Sequence, residues 1–389
     1  MKILILADDF PPYSRGGAGF STFDLGCAFQ KKGHQVFVIT TCQKKSDEGK
    51  TDYQELKVFS IYARYPARWR AYLSLYNPQT ISQVRRLLQE IKPDIVHANN
   101  IHYYLSYYCL KLAKKYSRGL FLTARDAMLF NYGKLATKQY LEHFDPKTSC
   151  LDHLKQAKKR YNPFRNIIIR HYLKSVDKIF AISYSLKEAL NQNGIGNVEV
   201  IYNGIDVADW QISQIRVEEF KKKYKMAGKK IIFCAGRTSA LKGLEQINQV
   251  MAKVKEEIPA AVLLIAGREG IGWLEREELK AAYFASDIVV IPSIYLDPFN
   301  RTNIEAMACK KPVVGTKYGG TPEIVQDGVT GFVVNPFDVE LMAAKIIDLL
   351  KNPQQAGGFG EAGYQRVREN FNLEKQADKY LDWFKSKVI

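Results

Sequence analysis

Short apolar runs rich in β-branched and aromatic residues recur along this chain, each followed by a stretch of helical periodicity, and this rhythm constrains the fold more than any other feature. In the first half the runs are KILILA, HQVFVITT, DIVHA, LFLTA, KIFAIS and VEVIYN. Near-continuous apolar strands separated by amphipathic segments predict a parallel sheet covered by helices. A glycine-rich turn at Gly16, Gly17 and Gly19 opens the first crossover, and Phe20, Phe23, Leu25 and Phe29 predict a helix that ends before Gly33. From residue 229 the rhythm restarts with IIFCAG, AVLLIAG, IVVIPS, PVVGT and TGFVV. At 389 residues the chain is about twice a typical domain, so two α/β domains are expected, 1–205 and 206–371. The segment NVEVIYNGIDVADW, with its Asn-Gly turn, is the predicted hinge. A last amphipathic helix carries Leu373, Ala377, Tyr380, Leu381 and Phe384.

No apolar run reaches the roughly 18 residues of a membrane-spanning helix, and MKILILAD reads as a strand rather than a secretion signal, so a cytoplasmic location is expected. The six cysteines, Cys27, Cys42, Cys109, Cys150, Cys234 and Cys309, form no C-x-x-C pair and no zinc spacing; they are read as reduced, mostly core thiols, with no bound metal. The net charge of +17 is unevenly spread. Residues 1–205 hold 31 Lys and Arg against 16 Asp and Glu, whereas residues 206–389 hold 26 against 24. A field so lopsided favours an anionic surface or substrate on the N-terminal half, the alternative being a solvated basic face.

Two N-terminal segments break the strand-helix rhythm. Residues 60–76 interleave Arg64, Arg68 and Arg70 with Tyr62, Tyr65, Trp69, Tyr72 and Tyr76, and residues 127–175 form a long insertion carrying Lys155, Lys158, Lys159, Arg160, Arg165 and Arg170. Both fit a peripheral contact with anionic membrane, and equally an ordinary insertion with buried aromatics.

The most specific stretch runs from 291 to 331, IPSIYLDPFNRTNIEAMACKKPVVGTKYGGTPEIVQDGVTG. It sets Asp297 and Glu305 eight positions apart, with a turn after the first and a helix carrying the second. A turn feeding a helix N-terminus near Thr302 leaves free backbone N–H groups and a positive dipole end, which suits a diphosphate or sugar hydroxyls. This stretch resembles the signature of family 4 retaining glycosyltransferases of the GT-B fold. The resemblance implies that Glu305 binds the donor ribose, that Asp297 faces the donor sugar, and that the backbone of Phe299, Asn300, Arg301 and Thr302 holds sugar and phosphate. Two positions depart from the family pattern: Asp297 stands for the usual Glu and Asn300 for the usual Gly.

Three further motifs join it. CAGRTSALKGL places Arg237 and Lys242 just after a strand and at the start of a helix, where two cations can neutralise a diphosphate. The loop Pro11-Pro12-Tyr13-Ser14-Arg15-Gly16-Gly17 lacks G-x-G-x-x-G spacing and resembles the glycosyltransferase version, with Gly16 and Gly17 allowing close backbone approach to a ligand. The strand ends DIVHANN and LTARDAM present His97, Asn99, Arg125 and Asp126. Arg125 stands where many relatives carry a His that touches the transferred sugar; its high pKa assigns it charge or hydrogen bonds rather than proton transfer. His97 is read either as a site residue or as a structural histidine of a buried strand. The segment IAGREGIGWLEREELKAAY is shorter than in relatives, which leaves the choice between uridine and guanosine open.

The resemblance therefore implies an α/β protein with two Rossmann-like doubly wound domains facing across a cleft, and a C-terminal helix, 372–389, crossing back to the N-terminal domain. The expected reaction moves a sugar from a UDP- or GDP-linked donor to a glycan or lipid-linked acceptor with retention, in cell-envelope polysaccharide or glycolipid synthesis. Among the candidate catalytic residues are Arg125, Asp126, His97 and Asp297. No D-x-D motif occurs, so no metal and no cofactor are expected. The alternatives are a catalytically silent scaffold and a sugar-nucleotide epimerase of the same fold. A nucleic-acid partner is not expected, since no recognised motif accompanies the basic charge.

Overall fold

The computed structural model describes residues 1–14, 16–236, 240–267 and 270–388. The chain divides into two compact units, one of residues 1–137, 146–203 and 373–389 and the other of residues 138–145 and 204–372. The segment 138–145, expected within the first domain, is thus part of the second.

The first unit is built on an eight-stranded sheet of β1 (Lys2–Ala7), β2 (Gln35–Cys42), β3 (Gly49–Tyr53), β4 (Leu56–Tyr62), β5 (Ile95–Asn99), β6 (Gly119–Ala124), β7 (Lys178–Ala181) and β8 (Val198–Val200). Their order is β3-β4-β2-β1-β5-β6-β7-β8, and every pairing is parallel except β3 with β4. The chain leaves β1 toward β2 and later returns to the other side of β1 with β5. Such a reversal opens a crevice at the carboxyl ends of the two strands. The β3–β4 hairpin is a departure from expectation: residues 60–62, read as the start of an aromatic-basic segment, finish β4. Its turn is made by Gln54 and Glu55 at φ of 45° and 70°.

The helix Leu373–Lys385 packs on this first sheet. Ala377, Tyr380, Leu381 and Phe384 are buried with Phe29 of the helix Gly17–Lys31 and with Phe121 and Phe180 of the sheet. The ring of Phe384 lies 4.9 Å from that of Phe121 and 5.5 Å from that of Phe29. Each fully buried ring contributes about 1.5–3 kcal/mol over an exposed one, so the last helix is an integral part of this core.

The second unit holds a five-stranded parallel sheet of β9 (Lys230–Ala235), β10 (Ala261–Ala266), β11 (Ile288–Ile291), β12 (Val313–Thr316) and β13 (Gly331–Val334), in the order β10-β9-β11-β12-β13. Here the winding reverses between β9 and β11. Its core joins Ile232, Val290 and Val314 of the strands to Val250, Met251 and Val254 of the helix Leu244–Glu257 and Met342 and Ile346 of the helix Val339–Lys351. Cys42, Cys109, Cys234 and Cys309 are buried free thiols, while Cys150 is exposed.

Candidate functional site

In the second unit an open pocket lies at the carboxyl ends of β9 and β11, lined by Cys234, Gly236, Lys242, Pro292, Ser293 and Asn300 among others. The turn into the helix Leu244–Glu257 needs glycine. Gly243 has φ +76°, and a Cβ there would stand 1.9 Å from the Pro292 carbonyl oxygen. That close approach fixes where Lys242 sits. Its ammonium lies 2.6 Å from Asp297 Oδ2 and 5.4 Å from the centre of the Tyr295 ring. Burial works against the ammonium, but the neighbouring Asp297 and Tyr295 more than offset it and hold the Lys242 pKa above the usual lysine range. The site thus keeps a permanent cation.

Asp297 organises the rest of this cluster. Its Oδ2 also accepts from the Asn300 amide at 3.1 Å and from the Ser293 hydroxyl at 3.5 Å. Its backbone carbonyl accepts the Gly320 N–H at 2.9 Å. Gly319, at φ +68°, passes so close that a Cβ would lie 2.1 Å from the same carbonyl oxygen. The Gly-Gly-x-Pro-Glu loop is therefore docked on the backbone of Asp297, which is the physical reason for its first glycine.

The helix Arg301–Ala308 starts one residue before Thr302, and here the expectation of free amides needs correction. The Asn300 side chain caps the helix, accepting the Thr302 N–H at 3.1 Å through Oδ1 while its amide group holds Asp297. One turn further along, Glu305 receives Arg301 Nε at 3.1 Å and the Tyr283 hydroxyl at 2.9 Å. Phe299 is buried, its ring 5.8 Å from that of Phe371. Lys242, Asp297 and Asn300 thus form one polar cluster, and Glu305 with Arg301 of the same helix and Tyr283 of the helix Arg276–Ala285 a second. Arg237, like Arg15 of the N-terminal loop, lies outside the described residues.

In the first unit the carboxyl ends of β1, β5 and β6 carry a buried polar cluster centred on Arg125. Its Nε donates to Asn99 Oδ1 at 3.1 Å, and its Nη1 to Asn203 Oδ1 at 2.8 Å and Ser21 Oγ at 3.0 Å. Ser21 comes from the helix Gly17–Lys31, whose N-cap Gly16 provides no side-chain cap, so Gly16 and Gly17 open a helix end without a capping side chain. Asp126 points elsewhere: it caps the short helical turn Ala127–Leu129 through the Met128 N–H at 2.9 Å and lies 3.4 Å from His102 Nε2.

His97 is corrected to a core residue. It is fully buried among the rings of Phe29, Tyr380 and Phe384, and its Nε2 is 2.7 Å from Thr123 Oγ1. Burial, reinforced by the charge of Arg125, pushes its pKa down to about 3, so the ring is neutral and sealed away from any ligand.

Two polar residues here escaped the sequence reading. Asp8, at the end of β1, accepts the backbone N–H groups of Tyr103, Tyr104 and Leu105 at 2.6, 2.9 and 2.7 Å and so pins the loop after β5. Burial lifts its pKa to about 6 despite those bonds. His102, in the pinned loop, is pushed down to about 4 by burial, opposed by Asp126. The consecutive aspartates at the end of the first strand were the available signal for Asp8.

Residues 15–209 match the family described as Glycosyltransferase Family 4, and residues 269–366 the family described as Glycosyl transferases group 1. The N-acetyl-alpha-D-glucosaminyl L-malate synthase of Bacillus anthracis is 24% identical over 98% of this chain and 96% of its own length. The glycogen synthase of Mycobacterium tuberculosis is 23% identical over 97% and 92%. Among solved structures, the sucrose-phosphate synthase of Thermosynechococcus elongatus aligns with a TM-score of 0.79 at 21% identity, covering 99% of this chain and 98% of its own. Anabaena HepE, solved in complex with UDP and glucose, aligns at 0.73 and 17% identity, covering 99% and 100%.

Proposed function

The chain belongs to glycosyltransferase family 4 and has the GT-B fold class, and on that footing we propose that it moves a sugar from an NDP-sugar to a glycan or lipid-linked acceptor with retention of configuration. The observation that carries this reading is the permanent cation of Lys242 in a pocket at the switch point of the second sheet, where the carboxyl ends of parallel strands accept nucleotides.

On this reading Lys242, with Arg237, binds the diphosphate, Glu305 the ribose, and Asp297 and the backbone of Phe299, Asn300, Arg301 and Thr302 the sugar, the Thr302 N–H exchanging the Asn300 side chain for the ligand. The pair between Lys242 and Asp297 opens or is shared when the donor enters. The bond between the anomeric carbon and the diphosphate oxygen breaks, and the acceptor oxygen forms the new bond on the same face. The acceptor proton passes to the departing diphosphate, whose charge Lys242 and the helix N-terminus stabilise as it develops. In the first unit, Arg125 and the open helix end at Gly16 and Gly17 supply hydrogen bonds and positive potential. Neither metal nor cofactor enters; activity that EDTA abolishes and Mn restores would contradict this. A thermal-shift screen over UDP-, GDP- and ADP-sugars, followed by product analysis, tests the whole reading. A ligand at 100 times its Kd adds about 2.7 kcal/mol of stability, whereas no shift and no product with any donor would end the proposal. The UDP complex of HepE favours a UDP-linked donor.

The acceptor is proposed to be presented at the inner membrane face in envelope glycan synthesis. No helix among the described residues is long and apolar enough to cross a membrane. The insertion instead exposes Leu151, Phe164 and Ile167 beside Lys155, Lys158 and Lys159, and the earlier segment exposes Trp69, Tyr72 and Tyr76. Exposed apolar side chains among basic ones fit an anionic interface. Liposome flotation with anionic and neutral vesicles tests it, and absence of binding to both removes the idea.

A further inference from the structure

A second, open concavity lies within the first unit, beside the loops that follow β5 and β6. Its walls include Arg70, Arg160, Arg165, Tyr132, Ser74 and Met128. Three guanidinium groups converging on one small pocket repel one another unless something negative sits among them. Carboxylates of this chain do not fill that role: among the described residues no Asp or Glu lies within ion-pairing distance of Arg70, Arg160 or Arg165. Asp8 and Asp126 act on Arg70 and Arg165 only from beyond ion-pairing distance, and their oxygens are bonded elsewhere, Asp126 to the Met128 amide and beside His102, Asp8 to three backbone amides, so neither offers the pocket a direct contact.

The three arginines are held differently, and the difference defines the site. Arg165 is almost fully buried and structural: it donates to Asn166 Oδ1 at 2.7 Å and to the Met128 carbonyl, and its guanidinium lies 4.9 Å from the centre of the Tyr132 ring. Arg160 is half-buried and makes one long bond, 3.5 Å, to the Gln156 carbonyl. Arg70 stacks its guanidinium 3.6 Å above the Tyr103 ring, which fixes its plane, yet its Nε and Nη2 are buried without a hydrogen-bond partner. A charged fork held rigid by stacking, with two buried donors unused, is a preorganised receptor for an oxyanion that can accept two parallel bonds. Leaving such donors empty in the working state is unfavourable, because their water has been removed and nothing replaces it.

We propose that this arginine pocket binds a phosphoryl group carried by the acceptor, with Arg70 as the bidentate contact and Arg160 closing over it. That the phosphoryl group belongs to the acceptor rests on the glycosyl-transfer reading; the phosphoryl site stands on the pocket itself. The same chemistry is offered by a soluble sugar phosphate and by an acidic lipid headgroup.

The test is calorimetric titration of the full chain with inorganic phosphate, comparing wild type with Arg70→Met, Arg160→Met and Arg70→Lys. Because the Arg70 guanidinium makes no hydrogen bond, Arg70→Met should keep the fold, which circular dichroism checks, and Arg160→Met is an independent probe if it does not. The expected result is a loss of affinity of at least tenfold in each Met variant, partial retention in Arg70→Lys, and no change in Lys111→Met, an exposed cation elsewhere on the unit. Phosphate binding that is the same in wild type, Arg70→Met and Arg160→Met overturns the proposal, as does malonate competing as well as phosphate. Vesicles of phosphatidylcholine with and without phosphatidic acid then separate the sources. Vesicle binding lost in Arg70→Met identifies a lipid headgroup, and vesicle behaviour unaltered while phosphate affinity falls identifies a soluble phosphoester. The titration needs no donor, so a chain that transfers no sugar but loses phosphate with Arg70→Met would sink the transferase reading and leave this pocket standing.

Discussion

The two units treat positive charge in opposite ways. In the second, the key cations have carboxylate partners: Lys242 rests on Asp297 and Arg301 on Glu305, all four on or beside one helix and one loop. In the first, Arg70, Arg160 and Arg165 line a pocket with no carboxylate within ion-pairing distance among the described residues. A cation already paired can exchange its partner for a ligand phosphate with little change in net charge. One without a pair needs an anion from outside.

The most severe test of the comparison is Lys242→Met. If the paired cation carries the diphosphate, transfer efficiency kcat/KM should fall about a hundredfold to a thousandfold. The same change leaves Asp297 buried without its partner, so stability should also fall, by about 2–4 kcal/mol after allowing for the partial exposure of the lysine. Adding Asp297→Asn should recover much of that stability and none of the activity. A double variant that recovers both would show that Lys242 serves the fold alone.

Next in size is Phe384→Ala. The C-terminal helix is sealed into the first unit through this ring, and its removal should cost about 3–5 kcal/mol in chemical denaturation. Should the loss be under about 1 kcal/mol, the helix is not part of that core.

The first unit is also expected to be the acid-labile one. His97 and His102 titrate in the folded chain at about 3 and about 4, below the ordinary histidine value of 6.5. Below pH 6.5 the unfolded chain therefore takes up protons that the folded chain refuses, and stability falls as pH drops toward those values. Each histidine contributes a slope of about 1.4 kcal/mol per pH unit. Asp8 acts in the other direction, because its folded value of about 6 lies above the ordinary 3.8, so it adds stability as pH falls from 6 to 4. His97→Phe should flatten the acid limb by one histidine's worth; an unaltered slope would place the titration elsewhere.

How far these features were legible depends on the range of the contacts that make them. Strands buried on both faces announce themselves as apolar runs, and both sheets were read that way. The β3–β4 hairpin was not, because β3 is a polar, exposed edge, GKTDY, and its turn uses Gln54 and Glu55 instead of Asn-Gly. The stretch 291–331 was legible because its parts are close in sequence and one of them, Gly319, is sterically required. The Arg125 cluster was only half legible. Asn203 and Ser21 lie 78 and 104 positions from it, and no local pattern reports such a meeting. His97 was ambiguous for a similar reason, since the aromatic rings that enclose it arrive from the far end of the chain.

The smallest effect is the most pointed, because it asks what the departure at Asn300 does. Where relatives carry glycine, this chain has a side chain that caps the Arg301–Ala308 helix and simultaneously tethers Asp297. Asn300→Gly should cost only a few tenths of a kcal/mol as a cap. It would free the Thr302 N–H for a ligand and release Asp297 from one of its donors. If the helix N-terminus binds donor phosphate or sugar, the KM for the NDP-sugar should fall, by less than tenfold, while kcat drops because Asp297 is less firmly positioned. A KM and kcat both unmoved would mean that the donor is held by Lys242 and its neighbours without the helix end. The carboxylate and its cation would then account for the second unit's chemistry by themselves.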